Sequence, residues 1–151
     1  MADAIRTAVQ ADLPAIIAML ADDSLGQSRE VISDPVDPAY QTAFDAMQAD
    51  PNQVLAVLED EAGIAGCLQI TYIPGLSRRG MLRGQIESVR IASRRRGGGL
   101  GRSMLDWAIA ECRKAGCGLV QLTTDKARPD ALRFYESLGF RPSHEGLKLA
   151  L

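Results

Sequence analysis

The sequence predicts an α/β fold in which a mixed sheet is flanked by helices. Three observations carry this. Short apolar runs with twofold alternation recur along the chain, notably at Arg83 to Ile91. Between them lie stretches with apolar residues at helical spacing, the longest from about Gly99 to Lys114. Glycine and proline punctuation separates the two kinds of segment. The 151 residues suit a single domain over 1–151, with 46% apolar and 24% charged content ordinary for a soluble globular protein.

The elements follow in order. Ala4 to Val9 reads as a strand. Asp12 is placed to cap a helix running to Ala21, with Leu13, Ile16, Ile17 and Leu20 on one face. Asp22 to Ala39 is polar, holds Pro35 and Pro38, and reads as a loop or broken helix. Tyr40 to Gln48 is helical in pattern. Gln53 to Leu58 and Ile64 to Ile73 read as strands joined by a hairpin turn at Glu59 to Gly63. A strand over Arg83 to Ile91 precedes the long helix, on which Leu100, Met104, Leu105, Ala108 and Cys112 form the apolar face. Leu119 to Thr123 is a strand, Pro129 to Leu138 a short helix stopped by Gly139, and Gly146 to Leu151 a final strand. The order is β-α-α-β-β-β-α-β-α-β.

Charge is unevenly spread. Residues 1–61 carry twelve acids against Arg6 and Arg29, whereas 78–102 carries eight arginines against Glu87 alone. Nucleic acid is a poor partner, because the basic stretch has no interleaved aromatics and the whole chain is acidic at −2. No apolar run approaches the roughly 20 residues of a membrane span. Three cysteines without paired ligand spacing and a lone His144 argue against a metal site and for free thiols in a reducing cytoplasm.

The basic stretch contains the segment richest in chemistry. The strand Gln85 to Ile91 is followed by Arg94-Arg95-Arg96-Gly97-Gly98-Gly99-Leu100-Gly101-Arg102, and a helix starts there. Glycines admit a ligand close to the backbone, a helix start favours negative charge, and arginine matches phosphate geometry. A nucleotide P-loop would need a Gly-Lys-Ser/Thr ending, which is absent. A dinucleotide fingerprint fails on spacing, since its last glycine falls on Arg102 or Met104.

Arg96-Gly97-Gly98-Gly99-Leu100-Gly101 resembles the Q/R-x-x-G-x-G/A signature of the GNAT N-acetyltransferase superfamily. The strand Ile86-Glu87-Ser88-Val89-Arg90-Ile91 and the downstream Ala131-Leu132-Arg133-Phe134-Tyr135-Glu136-Ser137-Leu138-Gly139-Phe140 resemble two further family segments, in the family's order. The resemblance implies a mixed sheet of about six to seven strands with about four helices. In that fold, parallel strands splay to form a coenzyme A cleft. It implies an acyltransferase moving the acetyl group of acetyl-coenzyme A to a primary amine. The cofactor contacts it implies are Val89, Arg90 and Ile91 on the strand, Arg96, Gly97, Gly98, Gly99, Leu100, Gly101 and Arg102 in the loop, and Arg128 before the last helix.

The same resemblance makes Glu87 the base that takes the ammonium proton and Tyr135 the acid that protonates the leaving thiolate. Each has a structural alternative: Glu87 paired with Arg83 or Arg90, and Tyr135 packed beside Phe134. Arg128 stands where many relatives carry asparagine, and its candidate roles are phosphate, substrate carboxylate or solvent. Relatives shape the acceptor site from the N-terminal helices and their loop, here Asp22, Asp23, Glu30, Asp34 and Asp37 with Tyr40 and Phe44. That acidity suits a small cationic amine, or is a solvated surface. A homodimer follows from family habit alone. The functional alternatives are a protein-amine acetyltransferase and a regulatory module that binds acetyl-coenzyme A without efficient turnover.

Overall fold

The computed structural model describes residues 3–151. Five strands, β1 (Ala4–Thr7), β2 (Gln53–Asp60), β3 (Gly63–Ile73), β4 (Arg83–Ile91) and β5 (Leu119–Gln121), form one sheet in that order. Neighbours are antiparallel from β1 to β4, and β5 joins β4 in parallel. The helices are α1 (Leu13–Ala21), α2 (Pro38–Ala49), the single turn α3 (Ser77–Gly80), α4 (Leu100–Lys114) and α5 (Pro129–Ser137). None of them is long and apolar enough to cross a membrane.

A buried cluster lies on each face of the sheet. On one face α4 buries Leu100, Met104, Leu105, Ala108 and Cys112 against Ala56, Leu58, Leu68, Ile70 and Ile86, with Phe134, Tyr135 and Leu138 of α5 and its C-terminal end at the margin. On the other face α1 and α2 bury Leu13, Ile16, Ile17 and Phe44 against Val57 and Cys67. Each fully buried side chain of this size contributes about 1.5–3 kcal/mol. Two glycines let α4 approach closely. A Cβ on Gly66 would lie 2.6 Å from Met104 Sδ, and one on Gly84 would lie 2.4 Å from Cys112 Sγ.

The structure departs from the sequence expectation in several places. The described residues form five strands rather than six or seven, because Gly146–Leu151 pairs with nothing. A strand exists only where a neighbouring edge accepts its backbone bonds, and this segment engages none. The expected turn at Glu59 to Gly63 is tighter, with Asp60 paired to Gly63 and only Glu61 and Ala62 between them. Asp12 does sit at the N-terminus of α1, but its carboxylate turns back to Val9 N–H (2.8 Å) and Arg6 (2.7 Å) instead of capping. Pro38, expected in a loop, is the first residue of α2, where its missing N–H costs nothing.

Candidate active site

The site begins where β4 and β5 part. Their parallel pairing runs Arg83 to Leu119, Gly84 to Val120 and Gln85 to Gln121, and then stops. β4 continues to Ile91 with no strand on that side, leaving its amides there open while Arg90 and Arg96 donate to the carbonyls of Val89 and Ile91. A bulge lies within this free stretch: Cys67 pairs with Arg90 and Gln69 with Glu87, so β4 carries one extra residue opposite Leu68. Ser88 adopts φ +54° there, a conformation that is uncommon for serine. Bulges bend a strand and redirect its side chains. Ala92 N–H donates to Ala65 O on β3 at 2.8 Å, so alternation turns the amides of Ile91 and Val89 to the open side.

The glycine loop closes one end of this opening. Gly97 and Gly99 take φ +79° and +81°, which only glycine adopts readily, and Gly99 is the N-cap that precedes α4. The first amide of the helix bonded to backbone is Ser103, to Gly99 O at 3.1 Å. Among the described residues, the amides of Gly97 through Arg102 have no backbone acceptor. Six free N–H groups at the positive end of a 15-residue helix fit the pyrophosphate of a coenzyme A. Gly101 serves packing: a Cβ there would lie 3.5 Å from the Phe134 ring, which holds α5 against the start of α4.

The arginines divide into two groups. Arg94 and Arg95 turn away from the loop to Asp60 (2.7 and 2.5 Å), clamping the β2–β3 hairpin, and Arg95 also reaches Asp3 (3.1 Å). Their bonds hold the Asp60 carboxyl well below the usual carboxylate range, Arg94 contributing most. Two of the three consecutive arginines are therefore structural. Arg96 stays at the loop, bonded to Ile91 O at 3.3 Å and to Asp22, and Arg102 is exposed on the first turn of α4.

Asp23, expected only as one of several acids around the acceptor, proves to be a hub. Its carboxylate accepts from the amides of Gly26 and Leu25, bonds Arg128 Nη2 at 2.8 Å and faces Arg90 Nε at 3.6 Å. The Gly26 amide is the main cause that lowers its pKa, with Arg128 and Arg90 adding to it. One carboxylate thus ties the α1–α2 loop to β4 and to the residue preceding α5. Arg128, expected among the cofactor contacts, makes this bond through Nη2. No local pattern signals it, because the partners are distant in sequence.

The two candidate chemical groups lie on either side of the gap. Glu87 is exposed and has no hydrogen bond or ion pair among the described residues. The expected structural alternative fails, since Arg83 bonds Gln121 (3.1 Å) and Arg90 faces Asp23. Register places Glu87 beside Gln69, on the face that carries α1 and α2. Tyr135 packs at the other face, edge-on to Phe140 and tilted against Phe134, with ring centroids 5.9 and 5.3 Å away. Burial pushes its phenol up, opposed by the positive charges of Arg90 and Arg128. Its hydroxyl makes no hydrogen bond among the described residues, so it is protonated at neutral pH with its proton available.

The remaining singled-out residues lie apart from this gap. Cys67 is buried beneath the bulge with Sγ 3.6 Å from Ser88 O, Trp107 packs against the α4 cluster, and His144 is exposed beside Ser143.

A family model described as the Acetyltransferase (GNAT) family matches residues 17–140. The chain belongs to the GNAT acetyltransferase family. Over 106 residues it is 30% identical to the aminoalkylphosphonate N-acetyltransferase of Salmonella typhimurium, covering 70% of this chain and 68% of that protein. A Bacillus halodurans C-125 structure described as a transcriptional regulator is 47% identical with a TM-score of 0.96, covering 99% of this chain and all of the other. An acetyltransferase structure from Agrobacterium tumefaciens str. C58 is 27% identical, with a TM-score of 0.86 over 98% and 99% of the two chains. The expected GNAT fold is present, and the chain is an acyltransferase of the N-acetyltransferase class.

Proposed function

We propose that this GNAT protein transfers the acetyl group of acetyl-coenzyme A directly to the primary amine of a small molecule, with Glu87 as base and Tyr135 as acid. The observation that carries the reading is the free β4 edge between an unpaired carboxylate and an unpaired phenol. The open amides of Val89 and Ile91 would hold the pantetheine arm. The amides of Gly97 to Arg102, with Arg96 and Arg102, would hold the phosphates.

Aminolysis of a thioester needs a neutral amine, and Glu87 supplies the group that removes the ammonium proton, directly or through water. The amine nitrogen bonds to the acetyl carbonyl carbon, the carbon–sulfur bond breaks, and the Tyr135 hydroxyl gives its proton to the departing thiolate. Without that proton the sulfur would leave as an anion beside an apolar cluster.

The acidic loop contributes less to acceptor recognition than its composition suggests. Asp22 bonds Arg96, Asp23 bonds Arg128, Glu30 accepts from the Tyr40 hydroxyl and Asp37 accepts from Ala39 N–H. Asp22 and Asp23 are thus paired with arginines and Glu30 and Asp37 have neutral donors, whereas Asp34 is exposed; Glu87 is the unpaired carboxylate on β4 beside the gap. The acceptor is a small amine, cationic at the nitrogen that reacts. The relative named for aminoalkylphosphonates puts amines bearing an acidic group into the same panel.

The test follows thiol release from acetyl-coenzyme A with aminoalkylphosphonates, amino-acid derivatives, polyamines, aminoglycosides and neutral amines. Acceptor-dependent release with at least one small amine supports the reading. Release with none of these but with a lysine-containing protein added as a further acceptor would move the acceptor to a protein. Acetyl-coenzyme A binding with no release across the panel would support a regulatory role, the reading in keeping with the name of the Bacillus halodurans neighbour.

A further inference from the structure

The bulge in β4 gives one face of that strand a charge pattern that plain alternation would not. Cys67 and Gln69 are two residues apart on β3 and share a face, so their partners Arg90 and Glu87 share it too, although an odd number of residues separates them. Cys67 belongs to the cluster buried under α1 and α2, which fixes the face as the one that carries those helices. A carboxylate and a guanidinium therefore stand on one side of the gap, and among the described residues they make no bond to each other.

The arginines there outnumber the acid that answers them. Arg90 and Arg128 share Asp23, whose carboxylate also accepts from the amides of Leu25 and Gly26. Two guanidiniums against one carboxylate leave a positive charge in excess. Donors are in excess as well. Arg90 Nε is buried without a hydrogen bond, 3.6 Å from Asp23, and among the described residues Arg128 bonds through Nη2 alone. A buried donor without an acceptor is costly, so this corner of the gap is short of an anion. Both arginines are mostly withdrawn from solvent, which screens their charge less than at the surface. Both also act on the Tyr135 phenol, which the proposed mechanism sets at the thioester. In that pose the phosphates of the coenzyme lie at the other end of the pantetheine arm, against the open amides of Gly97 to Arg102, and do not supply the missing anion.

We propose that Arg90 and Arg128 select an acceptor carrying an oxyanion, a carboxylate or a phosphonate, a few bonds from its amine. This rests on the transfer reading above and narrows its acceptor to a zwitterion, with the ammonium at Glu87 and the acid at the two arginines. Glu87 and Arg90 lie roughly 10 Å apart along an unbulged strand, a distance that two long side chains and a short acceptor bridge. Guanidinium groups take carboxylate and phosphonate oxygens in paired hydrogen bonds. The reverse orientation sets like charges together at both ends, so the charge pattern also fixes which end of the acceptor meets the thioester.

Calorimetry on the coenzyme A-loaded protein tests this with matched primary amines: glycine and aminomethylphosphonate against methylamine, and β-alanine and aminoethylphosphonate against ethylamine. In at least one series the acid-bearing members bind about tenfold or more tightly than the plain amine, and the tighter of the two names the acid. In Arg128→Ala that preference falls about tenfold, while the affinities for the plain amine and for coenzyme A stay within a few fold. No preference in either series overturns the inference, and so does a preference that Arg128→Ala leaves intact. Equal losses for acid-bearing and plain amines also overturn it, because Arg128 then only braces the loop. Thiol release from acetyl-coenzyme A separates the two readings. Release that favours plain amines keeps acetyl transfer and overturns this inference. Preferential binding of the acid-bearing amines with no release supports this inference and overturns transfer.

Discussion

Asp23 and Arg128 are 105 residues apart in the sequence, and their carboxylate and guanidinium are 2.8 Å apart in the structure. The bond joins the loop after α1 to the residue that precedes α5, across the gap between β4 and β5. Its second consequence concerns Arg90, whose Nε is buried and lacks a hydrogen bond, with the same carboxylate 3.6 Å away. Removing the Asp23 charge would leave two arginines without their anion.

Arg128→Ala should therefore loosen the site without unfolding the protein. The lost ion pair is partly exposed, and its contribution after solvent screening is about 1 kcal/mol. Amide exchange in residues 22–30 should rise, and KM for the acceptor should increase by about tenfold, while kcat changes less. Unchanged exchange in that loop would show that Arg128 does not hold it.

Acid should unfold the protein through three carboxylates. Asp60 is held down chiefly by Arg94, Asp12 by Arg6, and Asp23 chiefly by the Gly26 amide. A lowered folded pKa contributes stability that is fully present above the unfolded value of about 4 and is lost as pH falls through the folded value. Stability should be flat from neutral pH down to about 5 and fall steeply below about 4. Asp60→Asn should be less stable at neutral pH and show a shallower acid decline. Denaturant melts at stepped pH measure both, and an equal slope in the variant would remove Asp60 from the account.

Close packing of α4 predicts the effect of a single methyl. At Gly84 a Cβ would meet Cys112 Sγ at 2.4 Å, and Cys112 is wholly buried. Gly84→Ala should cost about 1–3 kcal/mol through overpacking, read as a lower denaturation midpoint with an unchanged slope. At Gly116, where an added Cβ would meet nothing within 4 Å, alanine faces only the strain of φ +87° and should cost about 1 kcal/mol.

The thiols should react in a fixed order. Burial pushes Cys67 and Cys112 up to about 12, and both side chains are almost wholly inaccessible. Cys117 is partly exposed. At pH 8 a disulfide reagent should titrate a single thiol quickly in the native protein, and all three after denaturation. Cys117→Ser should abolish the fast phase; a fast phase that persists would mean that one of the buried thiols opens readily.

Local pattern exposed much of this architecture. β4 runs from Arg83 to Ile91 as its alternation indicates, and α4 buries the five positions its spacing picks out. Gly97 and Gly99 before α4 carry positive φ values that make the segment a loop rather than a strand end. What stayed hidden depends on distance or on a partner. Nothing near Arg94 and Arg95 announces Asp60, which draws them away from the loop across 34 and 35 residues. The bulge at Ser88 arises from pairing against β3, so alternation within β4 alone does not show it. Gly146–Leu151 has the pattern of a strand, yet among the described residues it leaves the outer edge of β5 unpaired, which pattern alone does not show.

Glu87 and Tyr135 are proposed to act from opposite sides of one gap on an amine and a thioester. The most direct measurement of this compares acceptor-dependent thiol release by the native protein, Tyr135→Phe and Glu87→Gln, with acetyl-coenzyme A affinity measured on each. The expected result is that kcat falls by about 10²–10⁴ in each variant, with affinity for acetyl-coenzyme A kept within a few fold and partial recovery of Glu87→Gln at high pH. Native-like turnover in both variants would contradict it.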